Sequence, residues 1–179
     1  MPSPVGHAFG GLAAGWLIAG APPSISTSPS PTRSPWVASW HGAILLAGLG
    51  MAADLDLLVG AHRSYSHSLG ASFLILLAAM AVAPSSEPRL LTGVACGAAY
   101  ASHLLLDWLG ADTSVPIGIM ALWPFSSDYY QSPVDWFLST ERRYWLPQFW
   151  TVNFAAAARE VGTLLPIAAA VYWIRRRKV

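Results

Sequence analysis

Five apolar stretches, separated by polar or proline-rich breaks, set the pattern of this chain: residues 5–21, 36–53, 68–83, 90–110 and 154–174. Each approaches the length a helix needs to cross a hydrocarbon core of about 30 Å. The third is short, and the fifth carries Arg159 and Glu160 near its start and Pro166 at its middle, so either could be tilted, buried or kinked. Gly and Ala recur in the first, second and fourth stretches, where small side chains let helices approach closely in lipid. The pattern predicts an all-α polytopic membrane bundle of about five helices, forming one domain over residues 1–179.

The breaks differ in kind. Residues 22–35 are rich in Pro, Ser and Thr and predict a flexible loop rather than a regular helix. Residues 84–89 make a short turn, so the third and fourth helices should form an antiparallel hairpin. The region 111–153 holds Trp123, Trp136, Trp145, Trp150, Tyr129, Tyr130 and Tyr144, a mixture suited to the headgroup layer. Short interfacial helices are expected there, one opening near Ser132 and Pro133. The first stretch resembles a secretory signal, because Ala19-Gly20-Ala21 mimics a cleavage site. No Lys or Arg precedes Arg33, however, and Pro22 follows the supposed cut, which favours a retained helix.

Composition agrees with lipid. Hydrophobic residues make up 54% of the 179, charged residues only 11%, and mean hydropathy is +0.46. A net charge of +1 gives no nucleic-acid footprint. The basic run Arg175-Arg176-Arg177-Lys178 follows an apolar helix directly and reads as a topology signal. A single cysteine, Cys96, excludes an internal disulfide and suits packing in a small-residue helix.

With so few charges, the placement of the polar ones matters. Threading the helices up and down brings His7, the Asp54-Leu55-Asp56 pair, the loop pair His62 and His67, and the i, i+4 pair His103 and Asp107 to one membrane face. His41 lies on the order of 20 Å from Asp54 along the second helix and is excluded. Three carboxylates about 5 Å apart would repel by about 3 kcal/mol per pair at an effective dielectric near 20, so cations or protons must offset them. Blander readings exist: His103 and Asp107 as an interhelical polar pair, the two aspartates as a cap or solvated loop, His7 as an interfacial histidine. Ser66 is a candidate cap for the third helix. Six cationic residues (Arg33, Arg89, Arg175, Arg176, Arg177 and Lys178) fall on the opposite face against four (Arg63, Arg142, Arg143 and Arg159) on this one. The positive-inside rule then puts the site on the extracytoplasmic face of the cytoplasmic membrane and the C-terminus in the cytoplasm.

Seven candidate ligands exceed the three of one catalytic zinc and predict two ions, Zn²⁺ best suiting mixed His/Asp ligation, with Mn²⁺ or Fe²⁺ as alternatives. The chemistry that follows is hydrolysis by metal-activated water, with Asp54, Asp56, His67, His103 and Asp107 carrying it. Arg63 could hold a substrate phosphate or be a surface charge, and Trp123 could wall the site or anchor the interface. No Gly-x-Ser-x-Gly signature competes. A structural metal protein, or a transporter of metal or protons, would use the same residue types.

Ala53-Asp54-Leu55-Asp56, His62-Arg63-x-x-Ser66-His67-Ser68-Leu69, His103-Leu104-Leu105-Leu106-Asp107 and Leu122-Trp123-Pro124-Phe125-Ser126 together resemble the YdjM/YbcI family of inner-membrane, metal-dependent hydrolases. The resemblance runs from about His7 to Ser126. That family is grouped with zinc phospholipase C and P1 nuclease, all-helical enzymes with clustered His/Asp zinc sites. It implies hydrolysis of a phosphoester, for a membrane protein a lipid or lipid-linked headgroup. Ala53 stands where the family usually has Pro and Ser66 where Thr is common; neither change removes a ligand.

Overall fold

The computed structural model describes residues 1–22, 34–60 and 62–177, and it is helical throughout its long elements. Five α-helices follow in chain order: α1 (Pro4–Ala19), α2 (Trp40–Met51), α3 (Leu69–Val82), α4 (Arg89–Trp108) and α5 (Phe149–Arg177). Most of the predicted loop 22–35 lies outside the described residues.

Local signals explain most helix starts. Pro4 occupies the first turn of α1, where its missing N–H costs nothing. The Ser39 hydroxyl accepts from the Gly42 N–H at 3.0 Å to open α2, which therefore starts at residue 40 rather than 36. The cap of α3 is Ser68, whose hydroxyl accepts from the Ala71 N–H at 3.0 Å; Ser66, the expected cap, instead donates to the Asp56 carboxylate at 2.5 Å. Ser66 stands two residues ahead of the cap position, and its hydroxyl serves the loop instead. α2 does not run on to 53 as an α-helix. It tightens at Ala52 into a 3-10 helix (Ala52–Val59), which ends at Gly60 in the left-handed region, φ 74°.

Helices α1 and α4 form the centre: α1 packs against α2, α4 and α5, while α4 packs against α1, α2 and α3. Small residues permit this closeness. A Cβ on Gly11 would stand 2.9 Å from the Gly50 Cα, and one on Gly10 would stand 2.7 Å from the Leu106 side chain. The core between them is built from Trp16, Leu46, Ala95, Cys96 and Ala99. Three segments are long and apolar enough to cross a membrane: Trp40–Leu58, Arg89–Trp108 and Phe149–Arg176. About 61% of the second is buried, against 22% of the other two, so α4 is shielded and the flanking helices offer apolar faces outward.

No helix forms between α4 and α5 among the described residues, which corrects the expectation of short interfacial helices. The segment folds back on itself instead, through an antiparallel bridge of Ile119 with Tyr130 and a parallel bridge of Gly110 with Phe137. It also closes the end of α4, where the N–H groups of Ser132 and Phe137 donate to the Trp108 and Leu109 carbonyls at 3.0 and 3.2 Å. With its backbone polar groups used this way, the segment has no need of helical pairing.

Candidate metal centre

Four separate pieces of the chain supply the site. His7 comes from the first turns of α1, Asp54 and Asp56 from the 3-10 helix, His62 and His67 from the loop before α3, and His103 and Asp107 from the last turns of α4. Up-and-down threading brings all of them to one end of the bundle. His41, at the start of α2, is exposed and takes no part.

Asp54, His67, His103 and Asp107 can each turn one ligand atom into a common space, all within 4.8 Å of one another; Asp56, His62 and His67 form a second such group. His7 belongs to neither, yet its Nε2 is 3.3 Å from Asp107 Oδ1 and its ring stacks on His103 at 3.7 Å. His7, His67, His103 and Asp107 are fully or almost fully buried, whereas the Asp54 side chain is 25% exposed. The group therefore opens on the Asp54 side.

Hydrogen bonds behind the rings fix which nitrogens face inward. His103 Nδ1 donates to the Gly50 carbonyl at 2.7 Å, which leaves Nε2 of the neutral ring with a lone pair. His67 Nδ1 lies 3.0 Å from Asp56 Oδ2 and donates there, so its Nε2 is likewise turned inward. The two Nε2 atoms stand 3.1 Å apart. Asp107 Oδ2 is 3.3 and 3.2 Å from them, and Asp54 Oδ1 is 3.6 and 3.5 Å away. Four electron-rich atoms thus converge on a gap that one positive species must fill. Both oxygens of Asp107 and both nitrogens of His7 are buried without a hydrogen-bond partner, a cost that bound cations would remove.

Burial works against the cationic form of His67, but the carboxylates of Asp107, Asp54 and Asp56 overcome it and push the ring up to about 10. Without a metal, a proton there supplies the positive charge. His62 goes the other way. Burial lowers its pKa, with the Asp56 carboxylate opposing.

Asp56 organises the loop more than it faces the gap. It accepts from Ser66 Oγ, the Arg63 N–H at 3.0 Å, His67 Nδ1 and His62 Nδ1 at 2.8 Å. Arg63 holds the loop's unusual backbone: its φ of 67° is in the left-handed region, a strained choice for a residue with a side chain. Its buried guanidinium donates to Asp112, to Ser114 Oγ, and to the carbonyls of Ser114 and Pro116 at 3.1 and 2.9 Å. Trp123 packs against Tyr65 at 5.5 Å, and its carbonyl accepts the Gly70 N–H at 3.0 Å, steadying the start of α3.

Sequence reasoning passed over three residues that the fold places here. Arg142 reaches His62 Nε2 at 3.0 Å across 80 positions of chain, a contact no local signal announces. Asp112 pairs with Arg63. Glu160 of α5 is fully buried and accepts from the Ser3 N–H at 2.8 Å and from the Ser3 hydroxyl, setting a negative charge at the positive end of α1 just ahead of His7. An acid inside an apolar helix was the available signal for it.

These features define an all-helical membrane protein with a His/Asp cluster able to bind metal at one end of its bundle. The chain belongs to the YdjM inner membrane protein family, whose model matches residues 1–178. No curated protein and no solved structure gives a significant match.

Proposed function

We propose that this protein is a membrane-embedded, metal-dependent hydrolase of a phosphoester, with a lipid or lipid-linked headgroup as the substrate class. The observation that carries the reading is the convergence of His67 Nε2, His103 Nε2, Asp54 Oδ1 and Asp107 Oδ2 on one gap, with the rear nitrogens of both rings held by Gly50 and Asp56. That donor set suits Zn²⁺, and the zinc phospholipase C and P1 nuclease group offers the chemical parallel. His7 and the Asp107 oxygen that faces it would hold a second ion.

A divalent cation bound here would lower the pKa of its water toward about 7 and polarise a phosphoryl oxygen. The residues do the rest. Asp56 and the Gly50 carbonyl keep both imidazoles in the ligating tautomer. Asp54, the most exposed of the four ligands, marks the side from which substrate arrives. Its neighbours Leu55, Leu57 and Leu58 are exposed on the same 3-10 helix and would lie against acyl chains.

A structural metal site is the second reading, favoured by one observation: four protein ligands would complete a tetrahedron and leave no open position. Metal analysis and phosphodiesterase assays on detergent-purified protein separate the two. Wild type should carry about two zinc-like ions and His7→Ala about one. His103→Ala and Asp107→Ala should lose metal and hydrolysis together while keeping helical content. Full activity in both variants defeats the assignment; metal retained by wild type that hydrolyses no phosphoester supports the structural reading.

A further inference from the structure

A cleft of about 600 Å³ opens beside the metal centre, within the size range of pockets that hold small molecules. Its walls come from Met1, whose terminal amine donates to the Ala111 carbonyl at 2.7 Å, from the Arg63 loop, from residues 111–114 and from residues 139–143, with Gln148 and Val152 closing one side. None of the clustered His and Asp residues lines it, but it communicates with them through Arg142, which donates to His62 Nε2, while His62 Nδ1 donates to Asp56.

The charges on its walls are unevenly matched. Arg63 is neutralised by Asp112. Arg143 is held by Glu141 through two guanidinium hydrogen bonds, at 2.9 and 2.8 Å. Arg142, exposed, has no carboxylate partner among the described residues; its guanidinium donates to His62 Nε2 at 3.0 Å. Hydroxyl groups of Thr113, Ser139 and Thr140 surround the same space. A guanidinium with open donors, set among hydroxyls and next to a metal cluster, matches an oxyanion carried on a polyol.

We propose that this cleft binds the polar, phosphate-bearing headgroup of the substrate, with Arg142 engaging its oxyanion. The proposal deepens the phosphoester reading and rests on it for the choice of ligand. Arg142 leaves His62 to take the phosphate, so the headgroup is drawn toward the metal-facing wall and its hydroxyls are received by Thr113, Ser139 and Thr140.

The test is equilibrium binding to full-length, chelator-treated protein, which separates the cleft from turnover. Two probes distinguish the sources of the phosphate: glycerol 3-phosphate added to protein in detergent, and phosphatidylglycerol in nanodiscs compared with phosphatidylcholine. Binding of either, weakened at least tenfold by Arg142→Ala and partly restored by Arg142→Lys, is the expected result. Binding of the soluble probe assigns the cleft to a free phosphate, and preference for phosphatidylglycerol alone assigns it to a lipid headgroup. Ser139→Trp, which fills the cleft from another wall, should weaken binding as much. No binding of either probe by wild type, or binding indifferent to both Arg142→Ala and Ser139→Trp, overturns the proposal. Hydrolysis that persists in Arg142→Ala with unchanged KM would leave the metal-centre reading standing and remove the cleft from it.

Discussion

Two side chains decide how the site behaves, His67 by its proton and Arg63 by its pairing. In the metal-free protein His67 titrates near 10 because three aspartates outweigh its burial. Its folded pKa is raised, so this pairing stabilises the metal-free fold fully below about pH 6.5 and loses that contribution as pH rises through about 10. A ligating Nε2 must be unprotonated, so metal uptake at neutral pH displaces a proton. Affinity for the ion should then rise at least tenfold per pH unit between about pH 6.5 and 8, and calorimetry in buffers of different ionisation enthalpy should register at least one proton released. Uptake without proton release would mean that His67 stays out of the coordination. Arg63 bears on stability instead. It and Asp112 are both nearly inaccessible, with side chains 7% and 4% exposed, so Arg63→Ala would leave a buried carboxylate without its cation, held only by neutral donors of Ser114 and Gly118. Such a loss costs about 3–5 kcal/mol. Thermal unfolding of Arg63→Ala in detergent should show it; an unchanged Tm would return Arg63 to a role in holding substrate.

Helix packing sets the precision with which these groups meet. Gly50 lies at the crossing of α1 and α2, and its carbonyl holds His103 Nδ1, so the contact that brings two helices together also aims a ligand on a third. A Cβ at position 11 would meet the Gly50 backbone, which cannot rotate away as a side chain could. Gly11→Ala should therefore push α1 off α2, at about 1–3 kcal/mol, and weaken metal binding by displacing the Gly50 carbonyl and His7. Gly48→Ala is the control, since nothing lies within 4 Å of its Cβ. Equal thermal stability and metal content in the two variants would refute this coupling. The helices themselves were legible because apolar length and small-residue content are local properties, and alternating direction alone gathers His7, Asp54, His67 and Asp107 at one end. What pairs across the loops was not legible. The contacts of Arg142 with His62, Arg63 with Asp112 and Ile119 with Tyr130 depend on how a polar segment folds back, and its aromatic content suggested interfacial helices where bridges form. The apolar pattern ends at residue 53, so the 3-10 helix Ala52–Val59 has no local signal; within it Asp56 accepts from the Arg63 N–H and the Ser66 hydroxyl of the following loop.

At the scale of the molecule, the orientation of the bundle decides which substrates the site can meet. Membership of an inner membrane family and three candidate spans put the bundle in that bilayer, with the cluster at one end of it. Along the sequence, the six cationic residues assigned to the far face against four on this one predict an extracytoplasmic opening. The fold supplies markers for both ends. Phe125 is 96% exposed in the turn that packs against the start of α3 at the site end, and Ser85 is exposed in the turn joining α3 to α4 at the other. The one native thiol, Cys96, is buried, 1% exposed, and so gives little background. In spheroplasts, Phe125→Cys should react with a membrane-impermeant maleimide, while Ser85→Cys should react only after permeabilisation. The reverse pattern would place the metal centre on the cytoplasmic side and restrict its substrates to phosphoesters of the inner leaflet or the cytoplasm. The pH dependence of metal uptake would then follow cytoplasmic rather than external pH, since a site opening inward meets the cytoplasmic pH directly.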